Sequence, residues 1–146
     1  MKYLKILSIV ALSLMLFSCD KKAQYQQVKN ESLTNKIEVI DFHSTHRCMT
    51  CNAIESNTVY TLNTYFANEL KSGKITFQTV NVDEEINYEM AEKFEASGTS
   101  LFLNVIIDKK ETQYNLTDFA FMKGRDQNAF SEELKQKIEV QLSKMK

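Results

Sequence analysis

The stretch FHSTHRCMTCNAIES, residues 42–56, brings two histidines, an arginine and two cysteines together between His43 and Cys51. A Cys-x-x-Cys spacing serves three chemistries: a redox couple, half of a metal site, or an ordinary disulfide. The sequence on either side bears on the choice. Ahead of it, KIEVIDFHS (residues 36–44) is rich in β-branched residues and almost continuously apolar, as expected of a strand buried on both faces. Behind it, Ile54, Thr58, Leu62, Phe66 and Leu70 recur at helical intervals, and Gly73 stands where a helix from about 49 to 71 would stop. The cysteines therefore open a helix that directly follows a strand.

Helical positions three apart put Cα atoms about 5 Å from one another, a separation a disulfide accepts. Cys48 falls at the helix N-terminus, where unpaired N–H groups and the helix dipole favour a thiolate. Cys51 falls one turn inside. The expected pair is asymmetric, with Cys48 attacking a substrate disulfide and Cys51 resolving the mixed disulfide.

Beyond the first helix, residues 74–84 form a second strand and residues 85–98 a second helix, with Ile86, Met90 and Phe94 on its inner side and Gly98 at its end. Residues 99–108 form a third strand, DKKE a turn and ETQYNL a short fourth strand. Phe130, Leu134, Ile138, Leu142 and Met145 mark a last helix over about 126–145. A β-α-β opening calls for parallel neighbours, and a closing hairpin and helix complete a small α/β sandwich with a mixed sheet.

Composition narrows the partners. The chain has 146 residues, 43% hydrophobic and 25% charged, which fits one globular domain. Its formal charge of −1 provides no basic surface, so nucleic acid is not an expected partner. Residues 1–18 carry Lys2 and Lys5 ahead of an apolar run at 6–17, which as a helix reaches only about 18 Å against a bilayer core of roughly 30 Å. That is a signal peptide rather than a membrane span. LFSC, residues 16–19, resembles a bacterial lipobox, which implies cleavage before Cys19 and its lipidation; the competing reading is a plain secretory signal with an incidental cysteine. Residues 19–35 then form a polar tether and residues 36–146 the working domain, held by a lipid anchor on the periplasmic or extracellular side of a cell membrane. With Cys19 acylated, Cys48 and Cys51 are the pair left in a compartment that permits disulfides.

A CxxC opening the helix after the first strand, followed by VNVDE and AEKFEASGTSLFL, resembles the thioredoxin superfamily over residues 36–146. More narrowly, FHSTHRCMTCNAIE is similar to the bacterial family of thioredoxin-like nitrophenyl-compound nitroreductase subunits. Its F-H-x-T-x-R-C-x-T-C-x-x-I-E signature matches at Phe42, His43, Thr45, Arg47, Cys48, Thr50, Cys51, Ile54 and Glu55. The resemblance implies a thioredoxin-like sandwich and thiol–disulfide exchange with a protein disulfide or dithiol partner. No cofactor is called for, since these residues build no flavin or nitroaromatic site. Thioredoxins carry a cis-proline facing the disulfide; this chain has no proline, and Thr99 or Ser100 takes that place, with a trans peptide expected because a non-proline cis bond costs about 2.5–4 kcal/mol. Asp41 falls near the buried acid that in thioredoxins relays a proton to the resolving cysteine, although the intervening loop is one residue longer here.

Neighbouring residues carry two readings each. Arg47 stabilises a Cys48 thiolate or simply faces solvent. His46 and His43 tune the same thiolate or shuttle protons, His43 serving otherwise as a polar group closing the strand. Glu55 reads as a solvated helix residue, and Phe66, Phe77, Phe94, Phe102 and Phe130 as core. Two further readings of the whole stay open: a zinc or copper site built from His43, His46, Cys48 and Cys51, and an accessory module that docks to a membrane reductase system.

Overall fold

The computed structural model describes residues 35–145. The expected signal segment, Cys19 and the tether up to residue 34 lie outside the described residues. Four strands form one sheet: β1 (Lys36–His43), β2 (Ile75–Asn81), β3 (Ser100–Ile107) and β4 (Lys110–Asn115), in the order β2-β1-β3-β4. β1 and β2 pair in parallel, whereas β1–β3 and β3–β4 pair antiparallel. The parallel pair requires a crossover, and α1 (Met49–Tyr65) with α2 (Ala67–Ser72) supplies it. A 3-10 turn (Glu85–Asn87) leads into α3 (Tyr88–Lys93), and α4 (Thr117–Lys123) and α5 (Gln127–Leu142) close the chain. Helices thus flank a mixed sheet, and the arrangement is thioredoxin-like.

The apolar runs of β1 and β3 follow from their central positions, because both faces of the sheet are covered. One face of β1, Ile37 and Val39, packs with Leu101, Leu103 and Val105 against Ile54 and Leu62 of α1, Phe119 of α4, and Phe130, Leu134 and Ile138 of α5. The other face, Ile40 and Phe42, meets Val80, Phe94, Ala96 and Phe102. There Phe42, Phe94 and Phe102 form a triangle with ring centroids 5.4, 5.8 and 5.3 Å apart. Each such pair adds about 0.5–1.5 kcal/mol beyond the area it buries.

Four expectations need correction. The helix expected over 49–71 is broken at Phe66, whose backbone (φ −131°, ψ 27°) leaves the helical region as its ring enters the core. The second helix ends at Lys93, well before Gly98. Glu95 adopts φ +53°, and the Ala96 and Glu95 N–H groups donate to the Ala91 and Glu92 carbonyls at 2.8 and 3.0 Å, a Schellman termination without glycine. Ile86, expected inside, is 88% exposed, because it belongs to the 3-10 turn rather than to the helix. The seven-residue α4 was not expected at all; it buries only Phe119 and Ala120, too few positions to show a period. The expected turn after β3 is a two-residue hairpin with Asp108 and Lys109 both at positive φ. Among the described residues no helix is long and apolar enough to cross a membrane.

Candidate functional site

β1 delivers its C-terminal end, and α1 its N-terminal end, to the loop spanning residues 44–48. That loop is pinned on both sides. Thr45 N–H donates to Asp83 Oδ2 (2.7 Å), and Asn81 Nδ2 donates to Thr45 Oγ1 (3.2 Å), tying it to the end of β2. The hydrogen bonds from Thr45 hold the Asp83 carboxyl below the usual range, with lesser help from the His46 and His43 charges. His43 is half-buried and its Nδ1 donates to the Ser44 carbonyl at 3.0 Å, in keeping with a polar group closing the strand.

Cys48 is the N-cap residue of α1, with extended backbone (φ −76°, ψ 164°), and Cys51 N–H donates to its Sγ at 3.0 Å. Helix N-caps are normally oxygen acceptors such as Ser or Asp; here a sulfur fills the role. No acidic residue lies in the first turn to oppose a negative sulfur. Cys48 and Cys51 are joined as a disulfide with Cα atoms 5.0 Å apart. Their surroundings differ sharply: Cys48 is exposed, whereas Cys51 is only 7% exposed. Between them, Met49 projects into solvent at 82% exposure, and Thr50 Oγ1 accepts from Arg125 Nε at 3.4 Å.

Asp41 is fully buried on the sheet face that also carries Ile37 and Val39, opposite Thr79 of β2 and Leu101 of β3. Its Oδ2 accepts from Arg47 Nη2 at 3.2 Å, while Oδ1 has no hydrogen-bond partner among the described residues. The same Nη2 lies 3.5 Å from the Cys51 carbonyl oxygen, and Arg47 Nη1 donates to Glu55 Oε2. Arg47 therefore bridges two carboxylates and the backbone of the inner cysteine. Burial pushes the Asp41 carboxyl up from 3.8 to about 7, the Arg47 charge draws it down, the Glu55 charge raises it again, and the Arg47 hydrogen bond lowers it.

The structure thus brings Cys48, Cys51, Arg47 and Asp41 together. Glu55, expected as a solvated residue, is instead an ion-pair partner of Arg47. The signal for it was the i, i+4 spacing from Cys51, which puts it on the helix face that Cys51 occupies. Arg47 turns inward to the carboxylates rather than out to solvent. His46 is exposed in the loop. Ser100 is buried opposite Phe42, with Oγ donating to the Gly98 carbonyl at 3.0 Å. Its loop stands beside the cysteine loop, since a Cβ on Gly98 would lie 3.8 Å from Ser44 Oγ. Among the described residues no peptide bond is cis, and no three His, Cys, Asp or Glu side chains converge as metal ligands would.

No family model and no curated protein matches the chain. Among solved structures it is similar to Fasciola hepatica thioredoxin, at 20% identity over 75% of this chain and 84% of that one, with a TM-score of 0.45. It is also similar to a structure described as that of a malarial protein, at 18% identity over 61% of this chain and 96% of that one, with a TM-score of 0.39.

Proposed function

We propose that this chain is a thiol–disulfide oxidoreductase acting through Cys48 and Cys51. One observation carries the reading: an exposed cysteine caps a helix N-terminus with its sulfur accepting a backbone N–H, while its partner cysteine is buried one turn inside. Reduced, Cys48 as thiolate attacks one sulfur of a partner disulfide and the other partner sulfur leaves as thiolate. Cys51 then gives its proton to the Asp41 carboxylate and attacks Cys48 Sγ, which releases the remaining partner sulfur. Two electrons pass to the partner, the intramolecular disulfide forms, and Asp41 ends protonated. In the reverse direction a partner thiolate attacks Cys48, Cys51 departs, and Asp41 returns the proton.

The signature over residues 42–55 supports placing the chain within the thioredoxin-like nitrophenyl-compound nitroreductase subunit family. The lipobox-like residues 16–19 support a lipid anchor at Cys19, with residues 36–146 working on the periplasmic or extracellular side.

The test is trapping in cells. A Cys51→Ser variant accumulates a mixed disulfide through Cys48, which reductant releases, and Cys48→Ser accumulates none. Absence of any trapped partner, together with undiminished reduction of a generic protein disulfide by Cys48→Ser, would refute the reading.

A further inference from the structure

Three charged side chains lie in sequence at the inner end of the site: Asp41 from β1, Arg47 from the loop and Glu55 from α1. Arg47 shares its charge between them, Nη2 to Asp41 and Nη1 to Glu55, and its Nε has no partner among the described residues. Glu55 keeps 32% of its side chain exposed while Asp41 has none, so water screens one carboxylate and not the other.

We propose that Arg47 and Glu55 are positioning residues that regulate the proton affinity of Asp41, and thereby set the pH range over which Cys51 can be deprotonated to resolve a mixed disulfide. This rests on the oxidoreductase reading. Arg47 stabilises the Asp41 carboxylate by charge and hydrogen bond; Glu55 opposes it in two ways, by its own negative charge and by holding part of the guanidinium. The pair works as a divider, and each half moves Asp41 in the opposite direction from the other. Among the described residues the charged groups of this network are Arg47, paired directly with Asp41, and Glu55, reached through Arg47. Its neighbours across the sheet, Thr79 and Leu101, are uncharged. His43, two positions along β1, and the thiols of Cys51 and Cys48 once reduced are further titratable groups on that side. For this reason Asp41 is best followed in the oxidised protein.

The experiment is a titration of the Asp41 carboxyl carbon by NMR in oxidised protein, where neither cysteine titrates and the histidine signals are separate. The Asp41 resonance is assigned by its loss in Asp41→Asn. Glu55→Gln should lower the midpoint and Arg47→Met should raise it, each by about one pH unit, the effect of a close charge. Arg47→Lys should return the midpoint toward wild type. Midpoints that stay put, or that move the same way in Glu55→Gln and Arg47→Met, overturn the proposal. Should Arg47→Met fail to fold, Glu55→Gln and Arg47→Lys decide it alone: a midpoint not lowered by the first overturns it. The pH profile of mixed-disulfide resolution should follow the same midpoints. If Asp41→Asn leaves resolution and its pH profile unaltered, the proposal is overturned even where the midpoints move apart, whereas the oxidoreductase reading falls only if no mixed disulfide forms through Cys48.

Discussion

Replacing Asp41 by Asn removes a carboxylate that is fully buried, the only one among the described residues, while keeping its shape. In the folded protein Asp41 holds its proton up to about pH 7; in the unfolded chain it gives the proton up near 3.8. Between those values the native state binds more protons than the unfolded state, so rising pH favours unfolding. Below 3.8 both states are protonated and this residue adds no pH dependence. Above about 7 both are ionised and the full penalty is in place. The gap between 3.8 and about 7, at 1.36 kcal/mol per pH unit, amounts to about 4 kcal/mol. That is a large share of a typical stability of about 5–15 kcal/mol. Urea unfolding of oxidised wild type and Asp41→Asn at intervals from pH 4 to 8 reads the difference, which includes the coupling of Asp41 to Glu55. The variant should gain on wild type steadily across that range, by about 4 kcal/mol in all, and the gain should level off beyond pH 8. A difference that stays constant with pH would show that Asp41 ionises normally in the fold, and the proton relay would lose its basis.

Two further outcomes test the frame around the site. A Cβ at position 124 would stand 2.7 Å from the Ala120 carbonyl oxygen, 3.1 Å from Thr50 Cγ2 and 3.2 Å from Ile54 Cγ1, so Gly124→Ala should cost about 1–3 kcal/mol by overpacking. An unshifted urea midpoint would show that α4 is free to back away from α1. Glu95 holds a left-handed conformation (φ +53°) at the end of α3, where glycine carries no steric penalty, so Glu95→Gly should stabilise by about 1 kcal/mol. A lower melting temperature for that variant would contradict the assigned helix end.

The parts of the fold legible in the sequence were those where one physical demand dominates. β1 and β3 announce themselves because burial on both faces leaves them nearly all apolar, and the long first helix shows a clean period. Elements governed by backbone geometry were harder to see. Glu95 ends α3 without the expected glycine, and Phe66 breaks a helix without proline or glycine, because core packing of its ring outweighs local preference. The site divides in the same way. Cys48 at a helix start and Cys51 inside it follow from spacing, whereas the burial of Asp41 depends on pairing with both neighbouring strands. The role of Glu55 depends on Arg47 folding back over α1 rather than outward.

Several residues between positions 42 and 55, besides the two cysteines, hold the loop in place. Phe42 and Ile54 belong to the two cores on either side of β1, Thr45 pins the loop to Asp83 and Asn81, and Thr50 receives Arg125. These contacts fix where Cys48 caps α1. The Asp41–Arg47–Glu55 network is different in kind, because packing alone does not require it. Ile37 and Val39, on the same face of β1, are apolar and fully buried. Burying an ion pair there gives less stability than an apolar cluster of like volume would, and above pH 7 the carboxylate costs about 4 kcal/mol. A cost of that size, linked through Arg47 to the carbonyl of the inner cysteine and flanked by two opposed charges, fits a group kept for moving a proton rather than for holding the fold.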